Sequence, residues 1–192
     1  MKIHIIIDHP DPASFNHQIM NTFIEGIDKN KHELDVLDLD ADQFNPVMSK
    51  EEFKAYNRGE YLDPKVKEYQ QRLKSADYLA LFFPIWWMVM PARMKGWIDK
   101  VLLPGFAFSK GANPEPLLSH ITSAVIFTTT AISDEKHRKD FNNALDWVLC
   151  KGTLNFIGIR NTQWLNFGEA GIASPEKYQE WLAHVLDFAK NL

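Results

Sequence analysis

Short apolar runs, rich in β-branched residues, alternate along this chain with stretches whose apolar residues recur at helical spacing, and few folds accommodate that alternation. Ile3, Ile5, Ile6 and Ile7 form the first run, which stops at Asp8; continuous apolar runs of this length suit strands buried on both faces. Leu34, Val36, Leu37 and Leu39 read as a second strand, residues 78–83 as a third, 121–128 as a fourth and 154–159 as a fifth. Between them lie helical stripes: Met20, Phe23, Ile24 and Ile27; Val66, Tyr69 and Leu73; Met94, Trp97, Ile98, Val101 and Leu102; Phe141, Leu145, Val148 and Leu149. A last stripe runs from Tyr178 through Trp181, Leu182, Val185 and Leu186 to Ala189. Asp63-Pro64 and Ser174-Pro175 are cap-plus-proline helix starts. Ser49 with Glu52 has capping-box spacing for a short helix inside the otherwise polar connection 40–62.

A β-α order repeated five times predicts a parallel sheet with helices on both faces, because each crossover must return the chain to the same end of the sheet. The expected fold class is α/β: a flavodoxin-like, doubly wound, five-stranded parallel sheet in a single domain, 1–192. A chain of 192 residues buries enough surface to fold without disulfides or metal, and Cys150, the only cysteine, cannot pair within the chain. A lone thiol and the absence of a signal-peptide pattern at the start point to a reducing cytoplasm. A net charge of −4 lacks the basic surplus on which nucleic-acid affinity depends, so no nucleic-acid partner is expected. The longest uncharged stretch, 78–92, carries Pro84 and Pro91 and falls short of the roughly 20 residues of a transmembrane helix.

In doubly wound sheets ligands sit beyond the carboxyl ends of the strands, so the loops after strands one, three and four are the places to look for chemistry. The first holds His9, Ser14, Phe15 and Asn16. Its helix start offers free N–H groups to a phosphate, though a plain capped turn accounts for the same residues. The second holds Pro84, Ile85, Trp86, Trp87 and Met88 between stiffening prolines. Such large apolar groups belong against a core, a subunit interface or a flat aromatic ligand. The third, Thr128, Thr129, Thr130 and Ala131, either offers hydroxyl and N–H groups to a polar ring edge or simply prolongs the strand, with Ser133 capping the next helix. No Gly-x-Gly-x-x-Gly, P-loop, Gly-x-Ser-x-Gly or His-Glu-x-x-His pattern occurs, and no metal site is expected. Cys150 reads as a small buried residue.

Two segments carry a resemblance. His9-Pro10 with Ser14-Phe15-Asn16, and Pro84-Ile85-Trp86-Trp87 with the run from Met90-Pro91-Ala92 through Gly96-Trp97 to Val101 and on to Gly105-Phe106-Ala107-Phe108, resemble the NAD(P)H:quinone oxidoreductase family, the flavodoxin-2 group. The resemblance implies a flavin, with the Ser14-Phe15-Asn16 turn favouring FAD over FMN. His9 and that turn would hold its phosphates, Pro84 to Met88 would lie along the isoalloxazine, and Thr128 to Ala131 would meet its pyrimidine side. It also implies NADPH or NADH as donor, ping-pong hydride transfer, a quinone-like acceptor and a homodimer, for whose interface the stripe from Met94 to Leu102 is a candidate. A regulatory flavoprotein subunit of a potassium-efflux system is the alternative among similar chains. Where the family often carries Thr-Thr-Gly-Gly after strand four, this chain has Thr128-Thr129-Thr130-Ala131. It also lacks the downstream Tyr and His of the longer members, for which His137 is a weak substitute.

Overall fold

A computed structural model describes residues 1–192. Five parallel strands form one sheet in the order β2-β1-β3-β4-β5: β1 Lys2–Ile7, β2 Glu33–Asp38, β3 Tyr78–Pro84, β4 Ser123–Thr130 and β5 Asn161–Gly168. The order reverses direction between β1 and β3, which opens a crevice beyond their carboxyl ends. Alternate side chains of each strand feed two cores. Leu79, Leu81, Phe83, Ala124 and Ile126 face the larger one, under α3 (Pro64–Ser75) and α4 (Ala92–Val101). Ile5, Ile7, Ala80, Phe82, Val125 and Phe127 face the other, under α1 (Phe15–Gly26) and α7 (Pro175–Lys190).

The helix starts follow the sequence signals. Ser14, Asp63 and Ser174 each accept a first-turn N–H, and Ser49 with Glu52 closes a full capping box on α2 (Lys50–Tyr56). The connection 40–62 is pinned to α4 by Lys100. Its ammonium, 4% exposed, meets Glu52 at 3.0 Å and Asp63 at 3.4 Å, donates to the Asn45 carbonyl, and lies 5.1 Å from the centre of the Phe44 ring. Gly96 permits the approach, because a Cβ there would stand 2.4 Å from Pro46.

Three expectations are corrected. The fifth strand is Asn161–Gly168, not 154–159. Leu154, Ile157 and Ile159 are apolar because they plug the larger core from a turn, whereas β5 is an edge strand with both faces half open, so its sequence mixes Trp164, Leu165 and Phe167 with polar residues. The single helix expected over 141–149 is broken into α5 (Asp134–Phe141), one turn of α6 (Ala144–Asp146) and a π-helical segment, Trp147–Leu154, with Asn142 and Asn143 left-handed at the break. Of the stripe Met94, Trp97, Ile98, Val101 and Leu102, all but the half-buried Ile98 are buried in the chain's own core, so the stripe as a whole is core packing and only Ile98 of it is open at the surface.

Candidate active site

The loops after β1 and β3 and the end of β4 meet at the crevice. Thr128, Thr129 and Thr130 belong to β4, so the threonines do prolong the strand, and Ser133 caps α5. Thr129 still reaches the first loop: its hydroxyl donates to Asn16 Oδ1 at 3.0 Å across the sheet end. Asn16 is 2% exposed, and its Nδ2 has no partner in the chain. A buried amide N–H₂ without an acceptor costs about 1–3 kcal/mol, so its persistence at the amino end of α1, beside free backbone N–H groups, marks a place for an anion. Ser14 Oγ caps that helix and lies 3.0 Å from His17 Nδ1, while His17 Nε2 lies 3.2 Å from Asp38 Oδ2 at the end of β2. His9 accepts the Asp11 N–H on Nδ1 and sets its ring edgewise against Trp86, centroids 6.1 Å apart; burial lowers its pKa below the ordinary imidazole value.

Phe15 departs from the other members of its turn. Its ring packs among Phe167, Tyr178 and Trp181, so only its backbone faces the crevice end of α1. Helical spacing explains this: Phe15 and Asn16 are adjacent in sequence and therefore point roughly 100° apart.

Pro84 closes β3, and Ile85 is buried, its N–H bonded to the Thr129 carbonyl at 2.8 Å. Trp86 and Val89 then exchange both backbone hydrogen bonds, forming a two-residue turn in which Trp87 (φ 52°) and Met88 (φ 62°) are both left-handed. Turns of this kind normally take Asn-Gly, and bulky residues there are strained. Trp87 is 98% exposed and Trp86 46% exposed, so this strained turn holds two indoles out over the crevice mouth instead of packing them.

Asp8 ends β1 and is buried. Its carboxylate accepts the Met94 N–H at 2.7 Å and so caps α4, whose own N-cap, Pro91, has no side chain to do so. Burial raises its pKa above the usual carboxylate value, against the lowering effect of that hydrogen bond. Arg93, one residue earlier on α4, pairs with Asp40 after β2. Cys150 is fully buried, its thiol pushed up to about 11 by burial, which suits packing and not nucleophilic chemistry.

Residues 1–188 match a family model whose description is a flavodoxin-like fold. The chain belongs to the flavodoxin-2 family. An uncharacterized NAD(P)H oxidoreductase of Haemophilus influenzae is 31% identical to it over 168 residues, spanning 86% of this chain and 82% of the relative. A ribosyldihydronicotinamide dehydrogenase (quinone) of Pongo abelii is 29% identical, spanning 83% and 78%. Among solved structures, an NAD(P)H:quinone oxidoreductase from Methanothermobacter marburgensis superposes with a TM-score of 0.88 at 26% identity, covering 100% of this chain and 96% of that one. These relatives place the chain among the oxidoreductases of the family.

The sequence reading missed Asp8, the His17–Asp38 contact and the Arg93–Asp40 pair. For Asp8 a signal existed: a carboxylate directly after the apolar run Ile5-Ile6-Ile7, in a chain whose α4 start at Pro91 offers no capping side chain. The other two contacts join residues 21 and 53 positions apart, which no local pattern announces. His137 is fully buried under Trp164, centroids 5.0 Å apart, and neither ring nitrogen has a partner, so it presents no nitrogen to the crevice.

Proposed function

We propose that this chain is a flavin-dependent NAD(P)H oxidoreductase that passes two electrons to a quinone or similar acceptor. One observation carries the reading: a buried, unpartnered amide at the amino end of α1 stands across the crevice from two indoles held out on a strained turn. An anionic tail and a flat aromatic body on one ligand satisfy both. Asn16, Ser14, His9 and the first N–H groups of α1 hold the phosphate. Pro84 to Met88 line the ring system, and the end of β4 with Ala131 meets its polar edge. When bound, the flavin supplies the hydride chemistry, and the protein supplies position and polarity. Trp86 and Trp87 offer flat faces for a planar donor or acceptor, and the two take turns at the flavin.

The flavin is FAD or FMN, the donor NADH or NADPH, and the assembly a homodimer in which a second copy covers part of the exposed aromatic surface. The relatives' printed activities favour this reading over a potassium-efflux subunit.

Purified protein takes up FAD or FMN, turns yellow, and oxidises NAD(P)H in the presence of a quinone; mass analysis of the released flavin identifies it. Asn16→Asp keeps the Thr129 contact but replaces the free donor with an acceptor. A hydrogen bond to a charged group is worth about 1.5–3 kcal/mol, so binding of the phosphorylated flavin weakens roughly 10–100-fold. Riboflavin, which has no phosphate, is spared. A protein that binds no flavin overturns the reading.

A further inference from the structure

Across β4 and β5, on the face of the larger core, side chains form a hydrogen-bond chain whose direction is fixed by chemistry. Trp164 Nε1, which can only donate, gives to Thr128 Oγ1 at 2.8 Å. The Thr128 hydroxyl must then spend its own proton on Asn166 Oδ1, also at 2.8 Å. With its oxygen accepting, Asn166 donates from Nδ2 to Thr130 Oγ1 at 2.9 Å and to Asp134 at the start of α5. Thr130 finally donates to the Ile132 carbonyl at 2.8 Å, curling the chain just beyond the strand. The acceptor-only Asp134 carboxylate and Ile132 carbonyl fix this direction, since a flipped Asn166 would turn its oxygen on Asp134.

The same loop is clamped from behind by the end of β5. Glu169 N–H reaches the Ile132 carbonyl at 3.3 Å, and Ala170 N–H reaches the Thr130 carbonyl at 3.1 Å. Gly168 allows this, since a Cβ there would lie 2.8 Å from Ile132 O and 3.0 Å from Asp134 N. Ala131 and Ile132 are left with N–H groups that bond nothing else in the chain, at the carboxyl end of β4. The scaffold that holds Thr130-Ala131 therefore comes from β5 and the residues just after it.

We propose that Asn166 is a positioning residue for the flavin: through Thr130 it holds the Ala131 and Ile132 N–H groups rigidly at the ring edge that gains negative charge on two-electron reduction. The inference rests on the function proposed above. Donors fixed before the charge arrives stabilise it without reorganisation, so the chain sets how strongly the protein favours the reduced flavin. Asn166 itself touches no cofactor. Its side chain acts only through Thr130 and Asp134.

Two variants test this. Asn166→Asp keeps size and shape but loses the donor and faces Asp134 with a like charge. Thr130→Val keeps volume and removes the hydroxyl, and with it both the bond from Asn166 and the bond to the Ile132 carbonyl, and serves where Asn166→Asp folds poorly. In the flavin-free protein, hydrogen exchange at the Glu169 and Ala170 amides, which clamp the loop, quickens at least tenfold in both variants. In the flavin-loaded protein, the two-electron midpoint potential falls by a tenfold loss of preference for the reduced form, about 30 mV. Unchanged exchange, or quickened exchange with an unchanged potential, overturns the proposal. A wild-type protein that binds no flavin overturns it together with the preceding reading, and the flavin titration reveals that before any variant is made.

Discussion

Replacing Asp8 separates two roles that its position combines, an acceptor for α4 and a buried charge. In Asp8→Ala the Met94 N–H, now bonded at 2.7 Å, is left buried with no acceptor. An orphaned buried donor costs about 1–3 kcal/mol, and loss of a helix cap about 1 kcal/mol; the two overlap, giving a net loss of about 2–3 kcal/mol. For a chain of this length that lowers Tm by about 4–12 °C. Asp8→Asn keeps an oxygen for Met94 and stays within about 1 kcal/mol of the wild type. The pH dependence has a definite sign. Burial raises the folded pKa of Asp8 above its ordinary 3.8, so its contribution to stability is fully present below 3.8 and declines as pH rises through the folded value. Asparagine does not titrate, so the Asp8→Asn protein gains on the wild type across that window and then holds a constant difference. Urea denaturation of the three proteins at several pH values measures this. Equal stabilities for Asp8→Ala and Asp8→Asn would refute the capping argument.

Two further outcomes follow from other parts of the molecule. Trp87→Gly relieves a left-handed bulky residue and removes an indole that packs on nothing, so stability stays within about 1 kcal/mol. Catalytic efficiency with a quinone falls roughly 3–10-fold, the worth of one aromatic contact, and an unaltered efficiency removes Trp87 from the site. Burial lowers the pKa of His137, so the folded chain holds it neutral; the stability this confers is complete above 6.5 and is lost as pH falls from 6.5 through the folded value. His137→Phe flattens the stability profile over that acid range, and a profile of unchanged slope counts against the assignment.

The interior of the sheet was legible because β1 and β3 are buried on both faces, and Ile5 to Ile7 and residues 78–83 carry that burial as continuous apolar runs. Helix starts were legible because caps are local: Ser49 with Glu52 and Asp63 with Pro64 need only their neighbours. β5 was not, because an edge strand exposed on both sides has no reason to be apolar, while Leu154, Ile157 and Ile159 imitate a strand from a turn that fills the core. At the crevice, the strand-end rule pointed to His9, Asn16, Ile85, Trp86 and Thr129, and these residues do lie near one another, since parallel register aligns the ends of β1, β3 and β4. It could not resolve which side of α1 each side chain takes, and so gave Phe15 the same role as Asn16. Asn166 escaped notice for a related reason: the fifth strand was placed at 154–159, on the turn that precedes β5.

The buried ammonium of Lys100 has a bearing on how the crevice is entered. By fastening 40–62 to Glu52, Asp63 and the Asn45 carbonyl, it immobilises the bank of the cleft on the β2 side. Loosening that bank would part the buried ammonium from both carboxylates and leave its charge unneutralised. On the opposite bank Trp87 stands 98% exposed at the tip of a turn closed by the two Trp86–Val89 hydrogen bonds, so the two sides of the cleft are held by very different means.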